Sequence, residues 1–205
     1  MALGRLPRIA VLASGRGSNF LAIAKAISDK MLTAEIVLVG SDRSDAAVLE
    51  KAQSMGLETL VEKDQVRLAT TLRELQVDYV VLAGFMRILK KEFIESFQDA
   101  RGFSRIVNIH PSLLPELPGL DSYRRAFEQK LSKTGVTVHF VDSGVDTGPI
   151  CAQESFSITD CSSVEEVEKR GLAVEHALYA KTLGWILADK FEILKQGEKS
   201  YVRPH

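Results

Sequence analysis

The sequence predicts an α/β protein with a doubly wound, mostly parallel sheet and an antiparallel C-terminal extension. Three observations support this fold class. Short apolar runs alternate with helical patterns over residues 9–110, and a hairpin-like pair of alternating strands follows over 135–158. The chain has 205 residues, of which 45% are hydrophobic and 26% charged, so it is long enough for one domain with a full core.

The predicted strands of the parallel half are short apolar runs bounded by charged residues, glycine or proline, as expected for strands buried on both faces. These runs cover residues 9–13, 36–39, 57–61, 79–83 and 106–110. Between them, apolar residues recur at helical spacing over about 20–27, 46–55, 65–75 and 90–97. Strands that alternate with helices in this way are predicted to pair in parallel, with right-handed crossovers.

The second half of the chain has a different pattern. Residues 121–131 are predicted to form a helix, and 135–141 and 150–158 to form two antiparallel strands. A long helix is predicted from 162 to about 194, with Ser162 or Ser163 as its N-cap. Residues 201–205 are interpreted as a polar tail.

A glycine-rich turn, Ser-Gly-Arg-Gly-Ser-Asn at 14–19, joins the first predicted strand to the first predicted helix. The free N–H groups at the start of a helix can hold an anion, so this turn is a candidate phosphate loop. Gly17 lets the backbone approach a ligand closely. Ser18 or Asn19 is a candidate helix cap that could also reach a phosphate oxygen.

Two alternatives stay open for this turn. It could be a dinucleotide-binding turn with Asp42, at the end of the next strand, as the ribose contact. Phe20 stands where that motif needs a third glycine, which argues against it. It could also be a tight turn with an ordinary cap and no ligand.

The segment Ile-Val-Asn-Ile-His-Pro at 106–111 carries the most chemically informative pair of residues. Asn108 and His110 are two residues apart in a predicted strand, so their side chains project to the same face. Pro111 ends the strand, and open α/β sheets bind their ligands at this end. The pair is therefore a candidate site; the alternative is an ordinary hydrogen-bonded loop pair.

Two further polar residues stand out by their context. Asp146 lies in the turn-rich loop 142–149, which is either a plain acidic turn or a device that presents a carboxylate to His110. Arg87 interrupts the apolar run 85–89, and a charge there needs a partner or a ligand. The alternative for the apolar residues of that run is core packing.

The composition narrows the class of partner. The 26 basic and 27 acidic residues give a formal net charge of −1, which argues against a broad surface for nucleic acid or an anionic membrane and favours a small-molecule partner. Cys151 and Cys161 lack metal-ligand spacing to the histidines and are interpreted as free thiols. The sequence has neither a signal peptide nor a long apolar segment, so a cytoplasmic location is predicted.

Four blocks of this sequence, in order and spacing, resemble the glycinamide ribonucleotide transformylases (phosphoribosylglycinamide formyltransferases) of the folate-dependent formyltransferase family. They are Gly-Arg-Gly-Ser-Asn at 15–19, Ala-Gly-Phe-Met-Arg-Ile-Leu at 83–89, Asn-Ile-His-Pro-Ser-Leu-Leu-Pro at 108–115, and Val-Asp-Thr-Gly-Pro at 145–149. The resemblance covers nearly the whole chain. It implies the formyltransferase fold as a single domain over 1–205, with a phosphate-binding half over about 1–105 and a catalytic and folate-binding half over about 106–205.

The resemblance also implies an activity. A formyl group would pass from 10-formyltetrahydrofolate to the glycine amine of glycinamide ribonucleotide in purine biosynthesis, by direct attack of the amine through a tetrahedral intermediate. The partners would be the ribonucleotide and the folate, without metal, nucleic acid or membrane, and the protein would be a monomer or a homodimer.

Individual residues take their expected roles from the same resemblance. The catalytic trio would be Asn108, His110 and Asp146. The ribonucleotide and its phosphate would contact Gly17, Ser18, Asn19 and Glu175. The folate would contact Met86, Arg87, Ile88, Leu89, Asn108, Val141, Asp142, Ser143, Gly144, Val145 and Asp146. The cleft would also be lined by Pro111, Thr137 and His139.

The residue types of the trio suit this chemistry. Attack of an amine on a formyl carbon develops negative charge on oxygen and positive charge on nitrogen, so the site needs hydrogen-bond donors and a proton acceptor. Asn108 and a protonated His110 could donate. Asp146 is expected to raise the pKa of His110 and to order a water that relays the proton.

Some positions depart from the family pattern. Leu172 stands where relatives often carry glutamine, and Glu116 and Asp121 replace residues that are frequently basic or histidine. Lys63 and Arg67 are the candidates for binding the folate tail. Three alternatives within the fold are a formyltetrahydrofolate deformylase, a methionyl-tRNA formyltransferase and a non-catalytic folate-binding homologue. The chain length argues against the first two, and the presence of the whole trio argues against the third.

Overall fold

The computed structural model describes residues 5–196 and 199–205. The strands in these ranges are β1 (Arg8–Leu12), β2 (Glu35–Ser41), β3 (Thr59–Val61), β4 (Tyr79–Leu82), β5 (Ile106–His110), β6 (Lys133–Phe140), β7 (Ile150–Ser157), β8 (Phe191–Gln196) and β9 (Lys199–Pro204). The helices are α1 (Ser18–Ser28), α2 (Ala47–Ser54), α3 (Gln65–Glu74), α4 (Lys91–Glu95), α5 (Ser122–Glu128) and α6 (Val164–Leu187). The predicted domain 1–205 includes residues 1–4 and 197–198, which lie outside the described ranges, and its division into halves stays a prediction.

Within the described ranges the nine strands form one sheet in the order β3-β2-β1-β4-β5-β6-β7-β9-β8. Pairing is parallel from β3 through β5. It is antiparallel between β5 and β6, β6 and β7, and β8 and β9, while β9 joins β7 in parallel. The predicted fold class, a mostly parallel sheet with an antiparallel C-terminal extension, is therefore confirmed.

The strand order reverses between β1 and β4. The chain runs outward from β1 to β3, returns to β4 on the other side of β1, and continues to β5. Helices that follow neighbouring strands at such a point lie on opposite faces, so a crevice opens at the carboxyl ends of the strands. The glycine-rich turn after β1 and the apolar segment after β4 both lie at this crevice.

Apolar side chains cover both faces of the parallel strands. One face packs against α1 and α6, with Phe20 and Tyr179 among its fully buried side chains. The other face packs against α3 and α4, with Leu72 and Phe93 in its cluster. Burial on both faces explains why the strands are continuous apolar runs without alternation.

The prediction for the C-terminus was wrong. The long helix ends at Leu187 instead of about residue 194, and the predicted polar tail 201–205 contains most of β9. Asp189 takes a left-handed conformation with φ 55°, which ends the helix although no glycine or proline occurs between residues 188 and 196. Phe191 then turns inward against Phe103 and Phe140, so long-range packing decides the structure of this segment.

The start of α6 agrees with the prediction. Ser163 is the N-cap, and its hydroxyl accepts a hydrogen bond from the Glu166 N–H. The Glu166 carboxylate accepts a hydrogen bond at 2.7 Å from the N–H of Ser162, the residue before the N-cap, so the arrangement is a variant of the capping box. None of the helices in the described ranges combines the length and apolar character needed to cross a bilayer.

Candidate active site

A cleft of about 420 Å³ lies at the carboxyl ends of β1, β4 and β5. Asn19 follows β1, the segment 84–89 follows β4, and Asn108, His110 and Pro111 lie at the end of β5. Residues 119–121, the loop 141–146 except Ser143, and Glu175 of α6 complete its walls. One continuous cavity thus joins Asn19, the last residue of the glycine-rich turn, to the segment 86–89.

His110 and Asp146 meet within this cleft. The His110 Nδ1 atom lies 3.2 Å from the Asp146 Oδ2 atom, so the predicted proximity of the two residues is found in the structure. The other ring nitrogen, Nε2, lies 3.0 Å from the Leu117 carbonyl oxygen and 3.3 Å from the Ser122 hydroxyl. A carbonyl oxygen only accepts, so Nε2 carries a hydrogen and Nδ1 is the atom that can gain or lose a proton toward Asp146.

Burial and charge act on His110 in opposite directions. Burial of the ring lowers the pKa of His110, while the Asp146 carboxylate and the Leu117 carbonyl oxygen raise it; the net shift is downward. The expected contribution of Asp146 therefore has the predicted sign, but desolvation outweighs it. The imidazole starts neutral near pH 7 instead of protonated, and it can take up a proton that Asp146 then stabilises.

Asp146 stays ionised in this half-buried position. Burial raises the pKa of Asp146, but a hydrogen bond from His139 in its protonated form, the Gly119 N–H at 2.9 Å and the positive charge that His110 carries when it is protonated together lower it below its usual value. The residue has φ 56°, a left-handed conformation that aspartate tolerates better than bulky residues. The turn therefore aims a carboxylate at the imidazole.

His139 belongs to the same cluster, closer to the trio than the sequence indicated. Its Nδ1 atom lies 2.9 Å from the Phe140 carbonyl oxygen, so in the neutral ring Nδ1 carries the hydrogen and Nε2 accepts. Nε2 lies 3.1 Å from the Asn108 Nδ2 atom and 3.6 Å from the Asp146 Oδ1 atom. Because Nε2 accepts, the nitrogen of the Asn108 amide, and not its oxygen, faces His139.

The antiparallel pairing of β5 and β6 creates this cluster. Asn108 is the register partner of His139, and His110 is the partner of Thr137. Residues that face each other across a ladder and share a face lie close together, so Asn108 and His139 meet directly. The pairing partner could not be read from the sequence, because strand pattern alone does not fix register between distant strands.

The glycine-rich turn begins α1 without a side-chain cap. Gly17 is the N-cap with φ 74°, so the predicted capping by Ser18 or Asn19 was wrong. A side chain at Gly17 would also come within 2.6 Å of the Val48 Cγ2 atom. The N–H groups of the first helical turn remain available to an anion because they have no acceptor within the helix.

The phosphate-loop residues differ in their relation to the main cleft. Asn19 lines it, whereas Gly17 and Ser18 do not. Asp42, the residue of the dinucleotide alternative, accepts a hydrogen bond from the Ser14 hydroxyl at 2.6 Å. The same hydroxyl accepts from the Met86 N–H at 2.9 Å, so Ser14 ties the glycine-rich turn to the segment after β4. Sequence reasoning did not identify this role of Ser14.

The apolar segment after β4 is split between cleft and core. Met86 and Ile88 are 66% and 78% exposed, so core packing does not explain them, whereas Leu89 is buried. Arg87 is exposed and donates to the Lys63 carbonyl oxygen at 2.8 Å, which supplies the partner that its position called for.

A buried glutamine shapes the same segment. Gln65 donates to the Ile88 carbonyl oxygen at 3.0 Å and accepts from the Lys90 N–H at 2.7 Å. Two bonds from one rigidly held amide fix the backbone around Ile88, which lines the cleft. Sequence reasoning did not find this role, since Gln65 and Ile88 are far apart along the chain.

The loop after β6 forms the opposite wall. Val141, Asp142, Gly144, Val145 and Asp146 line the main cleft, whereas Ser143 lines a smaller neighbouring cavity of about 210 Å³. Asp142 accepts hydrogen bonds from the Gly144 N–H at 3.1 Å and the Thr147 hydroxyl at 2.7 Å. These bonds shape the turn that presents Asp146.

Thr137 does not line the cleft, although the sequence-based resemblance placed it there. It is fully buried, and its hydroxyl donates to the Ser112 carbonyl oxygen at 2.6 Å and accepts from the Leu114 N–H at 3.0 Å. Thr137 therefore supports the proline-rich segment behind His110.

Among the departures from the family pattern, Asp121 lines the cleft, Glu116 is exposed and Leu172 is half-buried.

Glu175 reaches the cleft from α6. Its two carboxylate oxygens accept hydrogen bonds from the Asn19 side-chain amide at 2.7 Å and from the Tyr123 hydroxyl at 2.8 Å.

Cys151 and Cys161 are free thiols outside this site. Within the described part of the chain, no group of three or more histidine, cysteine, aspartate or glutamate side chains is arranged to hold a metal ion.

Comparison with known proteins supplies further information about this arrangement. A family model described as formyl transferase matches residues 7–183. A phosphoribosylglycinamide formyltransferase of Bacillus subtilis is 32% identical over 204 residues, which cover 95% of this chain and 100% of that protein.

Solved structures agree with the sequence match. The crystal structure of glycinamide ribonucleotide transformylase 1 from Symbiobacterium toebii superposes with a TM-score of 0.88 at 35% identity, covering 98% of this chain and 95% of that one. A formyltetrahydrofolate deformylase from Pseudomonas syringae superposes with a TM-score of 0.84 at 23% identity over 96% of this chain and 66% of that one. At that identity the second likeness shows a shared fold alone.

Proposed function

This chain belongs to the formyl transferase family, and on that premise we propose that it transfers a formyl group from 10-formyltetrahydrofolate to the glycine amine of glycinamide ribonucleotide in purine biosynthesis. The observation that carries the proposal is the cluster of Asn108, His110 and Asp146 in a cleft that also reaches Asn19 and Glu175. A binding module would need the walls of this cleft but not an imidazole paired with a carboxylate at its centre.

The two ends of the cleft suit two different ligands. At one end, the start of α1 offers free N–H groups to the phosphate, and Glu175 and Asn19 offer polar atoms to the rest of the ribonucleotide. At the other end, the exposed apolar side chains of Met86, Ile88 and Val145 suit the flat ring system of the folate, which would cover them.

The folate supplies the formyl carbon, and the protein supplies binding, orientation and proton transfer. The bond between the amine nitrogen and the formyl carbon forms while the bond between that carbon and the folate nitrogen breaks. The amine loses one proton in this exchange, and the departing folate nitrogen gains one. No proton or electron is left over.

Each member of the trio has a defined task in this reaction. Asn108 donates its second amide hydrogen to the formyl oxygen, because the first is held by His139. His110, which starts neutral, takes the amine proton at Nδ1 and returns it to the leaving nitrogen, directly or through a water. Asp146 stabilises the protonated ring and fixes its orientation.

The decisive experiment is turnover by the purified protein with glycinamide ribonucleotide and 10-formyltetrahydrofolate. Formation of formylglycinamide ribonucleotide in equal amount to tetrahydrofolate is the expected result. Release of formate without a formylated amine would assign a hydrolase instead. Binding of the folate with no turnover of either kind would assign a non-catalytic homologue.

The finer features of the sequence-based prediction remain proposals. The absence of a metal from the reaction is tested by turnover after dialysis against a chelator, which should leave the rate unchanged. The cytoplasmic location and the choice between monomer and homodimer stay predictions.

A further inference from the structure

Tyr123 occupies a position that the proposed chemistry does not yet use. It lies on α5, it is 7% exposed, and its hydroxyl donates to the Glu175 Oε1 atom at 2.8 Å. Burial and the neighbouring Glu175 carboxylate raise the pKa of Tyr123, so the hydroxyl stays protonated and remains a donor. The sequence separates the two residues by 52 positions, and only the fold brings them together.

A glycine in α6 makes room for this tyrosine. Gly171 lies inside the 24-residue helix, where glycine is unfavourable compared with alanine. A Cβ atom at position 171 would overlap the Cζ, Oη and Cε2 atoms of the Tyr123 ring. The close approach of ring and backbone thus explains on steric grounds why a glycine occupies position 171. The position of the Tyr123 hydroxyl depends on this close approach.

The contact extends to the wall of the cleft. The Glu175 Oε2 atom accepts from the Asn19 Nδ2 atom at 2.7 Å, which fixes the orientation of the Asn19 amide because a carboxylate cannot donate. The Asn19 Oδ1 atom is then left as an acceptor, and it is buried without a hydrogen-bond partner among the described residues. Asn19 and Glu175 both line the cleft.

We propose that Tyr123 is a positioning residue for the ribonucleotide: its hydroxyl holds Glu175, Glu175 holds the Asn19 amide, and the Asn19 Oδ1 atom is thereby presented to an O–H or N–H donor of the substrate. Gly171 is the residue that permits this arrangement. An unpartnered buried acceptor is unfavourable, and a ligand hydroxyl that satisfies it gains affinity. The inference rests on the proposed function, because it assigns the ribonucleotide to this end of the cleft.

The first test is Tyr123→Phe, which removes the hydroxyl and keeps the ring above Gly171. The KM for glycinamide ribonucleotide should rise about 10-fold, since a buried hydrogen bond to a charged group is lost. The KM for 10-formyltetrahydrofolate and the kcat should stay within about 2-fold, because the hydroxyl that is removed donates to Glu175 and not to a member of the trio. Tyr201→Phe, at an exposed tyrosine of β9, is the matched control and should change none of these values.

The second test is Gly171→Ala, which keeps the hydroxyl but displaces the ring. It should raise the KM for the ribonucleotide at least as much as Tyr123→Phe does, again with little effect on the KM for the folate. Gly184→Ala is the matched control, because it adds a methyl group in the same helix where nothing lies within 4 Å of the new Cβ atom. Circular dichroism and thermal unfolding would establish that each variant is folded.

The outcomes separate a positioning role from a purely structural one. A variant Tyr123→Phe that lowers the melting temperature but leaves the KM for the ribonucleotide unchanged would overturn the inference. Equal increases in the KM values of both substrates would overturn it too, because they would indicate general loosening of the cleft. If the wild-type protein does not formylate the ribonucleotide, the proposed function fails; if it does and the KM of Tyr123→Phe is normal, only this inference fails.

Discussion

At the scale of single residues, four polar side chains from three segments converge on one point. Asn108 and His110 come from β5, His139 from β6, and Asp146 from the loop that follows it. Desolvation keeps the imidazole neutral and the nearby carboxylate favours its protonation, so the ring is poised to accept a proton and to release it. This balance depends most directly on the charge of Asp146.

The variant Asp146→Asn removes that charge and keeps the shape of the side chain. The pKa of His110 should fall further, because burial still opposes the protonated ring and the carboxylate no longer favours it. Loss of a proton-transfer partner typically costs about 10²- to 10³-fold in kcat, so a fall of that size is expected with little change in ribonucleotide affinity. The pH–rate profile and NMR titration of the histidine measure the two effects.

The matched control is Asp160→Asn, which removes an exposed carboxylate paired with Arg170 on the surface. Its kinetics and its histidine titrations should equal those of the wild type. If Asp146→Asn behaves like this control, Asp146 is an acidic turn residue without a role in the chemistry.

At the scale of elements, the proposed phosphate site depends on the start of α1. The helix begins at a left-handed glycine with no side-chain cap, and the turn packs so closely on α2 that a side chain at Gly17 would meet Val48. In the proposed phosphate site, the free N–H groups at the start of the helix hold the anion.

The variant Gly17→Val should displace this turn, because valine disfavours φ 74° and its Cβ atom would lie 2.6 Å from the Val48 Cγ2 atom. The KM for the ribonucleotide should rise at least about 10-fold, and far more than the KM for the folate. Steady-state kinetics with each substrate varied in turn provide the measurement.

Gly56→Val serves as the control for this test. Gly56 has nearly the same backbone conformation, φ 73°, but an added Cβ atom there meets nothing within 4 Å, and the residue lies outside the cleft. It should lower stability without changing either KM. Equal effects of Gly17→Val on both substrates would count against the phosphate-loop assignment.

The C-terminal hairpin of β8 and β9 is an element held by a few buried contacts. Phe191 is 3% exposed and packs against Phe103, Phe140 and Trp185. Arg101 lies over the rings of Phe103 and Phe191 at 4.9 Å from each centroid. The hairpin extends the sheet at the edge away from the cleft.

Replacing Phe191 with alanine should lower the free energy of unfolding by about 3–5 kcal/mol, because the change leaves a cavity among these rings. Phe191→Leu, which keeps most of the apolar volume, should cost less. Urea unfolding measures both values. The kinetic constants of the folded variants should equal those of the wild type, and a stability unchanged by Phe191→Ala would contradict the packing described here.

At the scale of the whole molecule, the buried ionisable groups set how stability depends on pH. The pKa of His110 is lower in the folded protein than its usual value of about 6.5, so the unfolded chain binds more protons below that pH. This contribution to stability is fully present above about pH 6.5 and is lost as pH falls through the folded pKa. The lowered pKa of Asp146 acts in the same direction at lower pH, below about 3.9.

Stability should therefore fall as the solution is acidified from pH 7 to pH 5. The slope from one histidine is at most about 1.4 kcal/mol per pH unit. Urea unfolding of the wild type and of His110→Asn across this range isolates the contribution, which the variant should lack. His205→Asn, at the exposed C-terminal residue, is the control; a slope in His110→Asn equal to that of the wild type would contradict a lowered pKa.

The sequence by itself predicted the parallel half of the sheet and several of the residues that line the candidate site. Its strands are continuous apolar runs and its helices are amphipathic, and these local patterns are imposed by burial on one or two faces. Asn108 and His110 could be placed side by side because a strand alternates its side chains, and the resemblance of four sequence blocks supplied the family. β5, predicted over 106–110, begins and ends as predicted.

Only the tertiary structure decided the features that depend on distant parts of the chain. The register of β5 with β6 places His139 against Asn108, and the packing of α5 on α6 brings the Tyr123 hydroxyl to Glu175. Phe191 sets the end of α6 and the hairpin that follows. Burial of its ring against Phe103 and Phe140 stabilises the fold by more free energy than a continued helix would through local propensity. The direction of the pKa shift of His110 could not be predicted from the sequence either, because it depends on how deeply the fold buries the ring beside Asp146.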